Sequence, residues 1–171
     1  MGRRLSHIVK TKMADIQDVQ LLSRSSDVYD LFIAVLKVLV LTAKGNLVTF
    51  RSLTISEAVR EVLGRKDIAW RSFWGRAREF AEFLVDLKLV KQIKKTARGK
   101  IYGIERGSFF WFILERGNAA CIAAVLKDVF YRTKHKNEKI DRRDVVTKLF
   151  ECLDEYAEKP VVGTVGNQVQ K

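Results

Sequence analysis

The segment from Val28 to Ala43 limits the possible folds more than any other part of the chain, because its apolar residues cover more than one side of a helix. Ser26 or Asp27 supplies an N-cap before it, and Gly45 follows its end. A helix of this kind is stable in water only when several other elements cover it. We therefore predict a central helix that the rest of the chain encloses.

Nothing in the sequence indicates export or a membrane span. The most apolar run, 31–43, is interrupted by Lys37 and is shorter than the length of about 20 residues that a membrane-spanning helix needs. Arg3 and Arg4 are not followed by the apolar stretch of a secretory signal. Asn, Gln, Cys and Met are scarce, as is typical of thermophile proteins. We expect a cytoplasmic, nucleoid-associated protein without a membrane partner.

The chain contains two cysteines, Cys121 and Cys152, and both lie in apolar helical surroundings. They form no CxxC pair and have no neighbouring histidine, so we expect no zinc site. Two cysteines are too few for a disulfide framework. We predict that both are small buried hydrophobic residues.

Turn signals and helical periodicity divide the chain into four parts. These are a basic arm with a short helix from Met13 to Leu22 (1–26), a compact unit (27–106), a C-terminal helical segment (107–159) and a flexible tail (160–171). In the helical segment we interpret the aromatic run Phe109–Phe112 as a hydrophobic anchor. An amphipathic helix over 141–158 ends before Pro160.

The compact unit contains two further predicted helices after a short extended piece at 47–49. The first is capped by Thr49 or by Thr54, which with Glu57 matches a capping box, and ends at 63–64. The second is capped by Asp67 and continues to about residue 87. Its core face repeats at helical spacing through Phe73, Ala77, Phe80, Leu84 and Leu87.

A β-hairpin follows these helices. The β-prone runs 90–95 and 100–105 flank a short loop that contains Gly99. Simple strand alternation places Lys91 and Lys95 on one face of the hairpin.

Positive charge is concentrated in the middle of the chain. The whole chain has 32 Lys and Arg against 20 Asp and Glu, a formal charge of +12. Residues 65–106 alone contain 12 basic and five acidic residues, which is more than half of the excess. Such a concentration predicts a polyanionic partner, and nucleic acid is the commonest one.

From residue 28 to residue 106, the order helix, short strand, helix, turn, helix, basic hairpin resembles the winged helix-turn-helix family of DNA-binding domains. The resemblance rests on Gly45-x-x-Val48-Thr49-Phe50-x-x-Leu53 before the second helix and on the run 84–91 after the third. That run looks like the family's common Leu-Gly-Leu-Val ending, with Lys88 where the family usually has glycine. Lys88 therefore has to adopt a left-handed conformation, or another turn replaces the cap. The resemblance implies a mainly α fold with a hairpin wing and flanking helices, similar to MarR-like and PadR-like regulators.

The resemblance also implies a recognition helix at about 67–87 and a wing at about 90–105. Arginine forks pair with guanine acceptors or clamp phosphates, and lysines contact phosphates. The nucleic-acid-binding residues that we predict on this basis are Arg71, Trp74, Arg76, Arg78, Lys88, Lys91, Lys94, Lys95, Arg98 and Lys100.

We expect a protein without catalytic residues, cofactor or metal, since the sequence has no nucleophile elbow, phosphate-binding glycine loop or HExxH motif. The function that we predict is binding of duplex DNA as a transcriptional regulator. MarR-like and PadR-like regulators use their flanking helices to build a homodimer. We expect the same of residues 109–114 and 141–158, because the winged domain alone cannot cover their apolar surface.

Two alternatives remain open. Arginines interleaved with Trp70, Phe73 and Trp74 also suit a sequence-tolerant binder of single-stranded DNA, or an architectural or viral nucleoprotein. The third reading is a protein-interaction adaptor, because winged helices also serve in that role. A second basic cluster, at 132–143, is as consistent with a solvated loop as with a phosphate contact.

Overall fold

Seven helices and three strands form the part of the chain that the computed structural model describes, residues 17–68 and 70–153. In chain order they are α1 (Gln17–Leu22), α2 (Val28–Thr42), β1 (Leu47–Phe50), α3 (Ser52–Glu61), α4 (Trp70–Asp86), β2 (Lys91–Thr96), β3 (Gly99–Glu105), α5 (Phe109–Arg116), α6 (Ala119–Lys136) and α7 (Arg142–Phe150). The predicted class, mainly helical with a small β-hairpin, is confirmed. None of the described helices is long and apolar enough to cross a lipid bilayer.

Helix α2 is the centre of the packing, as its sequence predicts. It contacts α1, α3, α4, α5 and α6, and most of its residues are buried. Asp27 is its N-cap, and the carboxylate accepts a hydrogen bond from the backbone N–H of Tyr29. The ring of Phe32 meets those of Phe50 and Phe80 edge-on, with centroids 6.0 and 5.2 Å apart. These contacts join α2 to the sheet on one side and to α4 on the other.

A buried lysine interrupts this apolar centre. Lys37 is 3% exposed, and its Nζ lies 3.0 Å from Asp18 Oδ2 in α1. The same ammonium donates a hydrogen bond to the carbonyl of Gly117, between α5 and α6. Asp18 Oδ2 also accepts a hydrogen bond of 2.7 Å from the backbone N–H of Ala119. The charge is therefore paired and hydrogen-bonded, as a buried charge must be.

The sheet is antiparallel, with β3 between β1 and β2. Val48 pairs with Ile104 and Phe50 with Tyr102, and all four side chains are buried on the inner face. The rings of Phe50 and Tyr102 stack with centroids 5.6 Å apart. The hairpin is thus attached to the helical core through β1.

Helix α4 ends in a left-handed turn at Lys88, whose φ is 59°. The N–H of Leu89 bonds to the carbonyl of Leu84, and the N–H of Lys88 bonds to that of Val85. This is the hydrogen-bond pattern of a Schellman motif, in which glycine is the preferred residue at the left-handed position. A second contact closes the helix end, since Arg142 Nε donates to the carbonyl of Leu87 over 2.7 Å. Of the two outcomes expected for Lys88, a left-handed non-glycine residue is the one observed.

Two predicted caps are wrong. Helix α3 begins at Ser52, so that Thr54 lies inside its first turn, and its N-cap position is Arg51, which makes no side-chain cap hydrogen bond. Asp67 does not cap α4, which begins at Trp70. The carboxylate of Asp67 instead binds the Arg65 guanidinium at 2.8 and 2.9 Å, and this contact lowers the pKa of Asp67 to about 2. Both capping residues match their motifs locally, but the chain enters the helix at a different residue.

The prediction that the cysteines are separate buried residues is also wrong, because Cys121 and Cys152 form a disulfide. The two residues are 31 positions apart in sequence with their Cα atoms 5.5 Å apart. The disulfide joins α6 to the turn after α7. Next to it, Gly117 and Leu153 form an isolated antiparallel bridge, and the N–H of Asn118 bonds to the carbonyl of Cys152.

Up to residue 153, the chain itself covers most of the apolar surface of the C-terminal segment. Ser108 caps α5, Phe110 and Trp111 are buried, and the aromatic run acts as a hydrophobic anchor as predicted. Val145 and Leu149 of α7 are buried as well. The homodimer stays a prediction, but within residues 107–153 much of the apolar surface on which it was based is covered by the chain itself. The basic arm before residue 17 and the segment after residue 153, including the tail, lie outside the described residues.

Replacing Lys88 with glycine is expected to stabilise the fold by about 1 kcal/mol, because glycine adopts the left-handed conformation without steric cost. The measurement is the free energy of unfolding in denaturant. Lys88→Ala is the matched control, since it removes the same charge but keeps the Cβ atom. Equal stabilities for the glycine and alanine variants would contradict the left-handed conformation at residue 88.

Reduction of the disulfide, whose cysteines are 31 positions apart, is expected to lower the free energy of unfolding by about 4 kcal/mol, the chain-entropy value for a loop of this length. Cys121→Ser and Cys152→Ser are each expected to unfold at the midpoint of the reduced wild type. Thermal unfolding with and without a reducing agent measures the effect. A wild-type midpoint that is insensitive to the reducing agent would show that the bond is absent.

Candidate nucleic-acid interface

A groove lies between the exposed face of α4 and the β2–β3 hairpin. Its volume is about 640 Å³. The first residues of α3 and the end of α6 close its other sides. The residues that line it are Arg51, Ser52, Leu53, Trp74, Arg78, Glu79, Glu82, Phe83, Asp86, Lys95, Arg98, Gly99, Lys100, Tyr102, Thr133 and Lys134.

The exposed face of α4 follows from the side that it buries. Phe73, Ala77 and Phe80 point into the core at helical spacing, and this leaves Trp74 and Arg78 on the groove side. Trp74 is 39% exposed, and the guanidinium carbon of Arg78 lies 5.6 Å from the centroid of its ring. An arginine stacked on an indole in this way is held by a cation–π contact.

Glu82 connects α4 to the hairpin at the edge of the groove. Its Oε2 lies 2.9 Å from Lys100 Nζ and accepts a hydrogen bond from the Tyr102 hydroxyl. Burial alone raises the pKa of Glu82, but the hydrogen bonds from Tyr102 and Lys100 outweigh it and lower the pKa below its ordinary value. Burial, together with the hydrogen bond to Glu82, raises the pKa of Tyr102. The contact therefore consists of a carboxylate, an ammonium group and a neutral phenol at neutral pH.

A β-bulge changes which lysines face the groove. Lys91 pairs with Gly103 and Lys95 with Lys100, with a register shift between Gln92 and Lys94. The intervening Ile93 lies over Gly103, where a Cβ atom would come within 2.7 Å of Ile93 Cγ1. Because the bulge adds one residue, Lys91 and Lys95 lie on opposite faces, and the prediction of a shared face is wrong.

Half of the predicted binding residues line the groove: Trp74, Arg78, Lys95, Arg98 and Lys100. The other half, which are exposed but do not line it, are Arg71, Arg76, Lys88, Lys91 and Lys94. Lys91 is on the opposite face of the hairpin, where its Nζ lies 2.8 Å from Glu105 Oε1. The structure thus places only one subset of the predicted binding residues in the groove.

Sequence reasoning did not select Arg51 as a groove residue, and it assigned Lys134 only to the separate basic cluster. Arg51 comes before α3, and its position beside the hairpin results from the pairing of β1 with β3. Lys134 is near the end of α6, and its Nζ lies 3.9 Å from Glu79 Oε2. No local signal near either residue indicates these positions, since both depend on long-range packing.

The groove is cationic despite three carboxylates. Its basic residues are Arg51, Arg78, Lys95, Arg98, Lys100 and Lys134, and its acidic residues are Glu79, Glu82 and Asp86. Among the residues described, no carboxylate lies within ion-pair distance of Arg51, Arg78, Lys95 or Arg98. These four cations are available to an anionic ligand.

Three of the six cations in the second basic cluster, Arg132, Lys134 and Arg143, are paired with carboxylates. Arg132 lies 3.2 Å from Asp128 and 3.4 Å from Glu138, and Arg143 lies 3.6 Å from Asp141. Within residues 17–68 and 70–153, no three His, Cys, Asp or Glu side chains are grouped so that they could hold a metal ion. The groove is therefore the stronger candidate for an anionic ligand.

Comparison of the chain with protein-family models, with curated proteins and with solved structures finds no match in any of the three. The site is therefore interpreted from its own geometry and charge.

The contact of Glu82 with Lys100 and Tyr102 is expected to make stability depend on pH. Its contribution is fully present above the ordinary carboxyl pKa of 4.5 and is lost as the pH falls through the lower pKa of the folded state. The difference in free energy of unfolding between the wild type and Glu82→Gln should therefore shrink below about pH 4.5. Glu79→Gln is the control, because among the described residues its carboxylate forms only the long ion pair with Lys134. Parallel curves of the free energy of unfolding against pH for wild type and Glu82→Gln would contradict the expectation.

Proposed function

We propose that the chain is a winged-helix protein that binds duplex DNA, with α4 as the recognition helix and the β2–β3 hairpin as the wing. The observation that carries the proposal is the groove in which Trp74 and Arg78 of α4 meet Lys95, Arg98 and Lys100 of the hairpin. The major groove of B-DNA admits one α-helix, so the exposed helix α4 fits there with the cationic hairpin beside it.

The order of elements supports this proposal. Helix α2, strand β1, helices α3 and α4 and then a hairpin follow one another as the family resemblance implies. Strand β1 joins the hairpin through β3, and α4 ends at Lys88 in the left-handed turn where the family usually has glycine. In this proposal Arg98, at the tip of the hairpin, contacts the DNA backbone or the minor groove.

Binding of single-stranded nucleic acid is the second candidate, and the half-exposed ring of Trp74 in the groove favours it. Stacking of a base on an aromatic ring contributes about 1–3 kcal/mol. The groove also contains Leu53, which is 39% exposed. The two candidates differ in strand preference, so fluorescence anisotropy with a duplex and a single strand of equal length, at two salt concentrations, separates them.

We favour the duplex because four of the six groove cations lie on α4 or on the hairpin, two elements that can each follow a different DNA strand. In this proposal the protein acts as a transcriptional regulator in the cytoplasm. An adaptor that binds another protein would need none of the cations in the groove. Substitution of those cations therefore tests the adaptor reading at the same time.

Lys95→Ala is expected to weaken binding to every duplex sequence and to reduce the slope of log affinity against log salt by about one unit, because one phosphate contact is lost. Lys91→Ala is the matched control, since Lys91 is on the same strand but faces away from the groove and pairs with Glu105. Anisotropy titrations across a salt series measure both variants.

Tighter duplex binding that is sensitive to Lys95 but not to Lys91 supports the proposal. Tighter binding to the single strand, with a larger loss of affinity in Trp74→Ala than in Lys95→Ala, would instead support the second candidate, binding of single-stranded nucleic acid. Equal effects of Lys91→Ala and Lys95→Ala, or no binding to either nucleic acid, would overturn the groove as a nucleic-acid site.

A further inference from the structure

We propose that Arg78 and Glu82 give the groove a preference for G·C base pairs. In this proposal Arg78 pairs with guanine, and Glu82 accepts a hydrogen bond from the exocyclic amino group of cytosine. The inference rests on the proposed function, because it concerns which duplex sequences the same groove recognises.

The carboxylate of Glu82 is held in a fixed position with one oxygen unused. Lys100 and Tyr102 both contact Oε2, and no described residue donates a hydrogen bond to Oε1. The side chain is 36% exposed and lines the groove. An ionised carboxylate is an acceptor only, so the free oxygen can pair with a donor on a ligand and is repelled by phosphate.

Arg78 lies one turn before Glu82 on the same helix face, because residues four apart are neighbours on a helix. Its guanidinium packs over Trp74 and has no carboxylate within ion-pair distance among the described residues. The planar fork of an arginine presents two parallel donors. Arg78 and Glu82 thus place a donor pair and an acceptor side by side along α4.

The two donors of Arg78 and the acceptor of Glu82 match a G·C pair better than an A·T pair. In the major groove guanine presents two acceptors, N7 and O6, and cytosine presents an amino donor. Adenine presents one acceptor and one donor, so a two-donor fork is only half satisfied there, and thymine presents an acceptor that repels a carboxylate. The pair of side chains therefore favours G·C over A·T.

The test is selection of bound duplexes from a random-sequence pool with the full chain, followed by sequencing of the bound and unbound fractions. We expect enrichment of G·C pairs in the wild type. Glu82→Gln keeps an acceptor for Tyr102 and should lose about tenfold in its preference for G·C over A·T, and Arg78→Ala should lose that preference by a similar factor. Glu105→Gln, on the outer face of the hairpin where Glu105 pairs with Lys91, is the matched control and should keep the wild-type preference.

The outcomes separate this inference from the proposed function. Duplex binding by the wild type without any base enrichment overturns the inference and leaves the proposed function standing. A Glu82→Gln variant that is folded by circular dichroism and selects the wild-type sequences overturns the role of Glu82. Absence of duplex binding overturns the proposed function itself.

Discussion

The packing of the helices depends on the contacts of the buried Lys37 ammonium group. An isolated charge in the apolar interior costs several kcal/mol, so Lys37 requires partners wherever α2 is enclosed. Asp18 supplies one partner from α1, and Gly117 supplies another from the junction of α5 and α6. Because Asp18 also accepts a hydrogen bond from Ala119, three parts of the chain meet at one ion pair. The helices that support α4 and the sheet are fixed in this way.

The candidate site follows from this scaffold. Phe32 of α2 packs against Phe50 of β1 and Phe80 of α4, so the sheet and α4 are positioned by the same helix. Tyr102 then stacks on Phe50 with its ring and binds Glu82 with its hydroxyl, which joins the hairpin to α4. The groove lies on the outer side of this contact. Its cations are therefore attached to elements that pack against a common core.

Periodicity predicted the helices, the core face of α4 and the hairpin, because each depends on neighbouring residues. The sequence also indicated that either Lys88 adopts a left-handed conformation or another turn replaces the helix cap. Prediction failed for Asp67, because its carboxylate binds Arg65 two residues away and not the helix end. It failed for the cysteines because Cys121 meets Cys152 only after α6 and α7 pack. At the hairpin, one bulge reversed the expected faces of the lysines, which strand alternation cannot anticipate. Half of the predicted binding residues line the groove, but the shape of the groove and its other lining residues required the fold.

The central claim is that nucleic acid binds in the groove between α4 and the hairpin. Titration of the isotope-labelled protein with a short duplex, followed by NMR of backbone amides and of the tryptophan indoles, tests this most directly. The account predicts that signals of Trp74, of Arg78 and of residues 95–100 shift first, while those of Lys91 and α7 change little. Shifts confined to α7 or to the outer face of the hairpin, or no shifts at all, would contradict it.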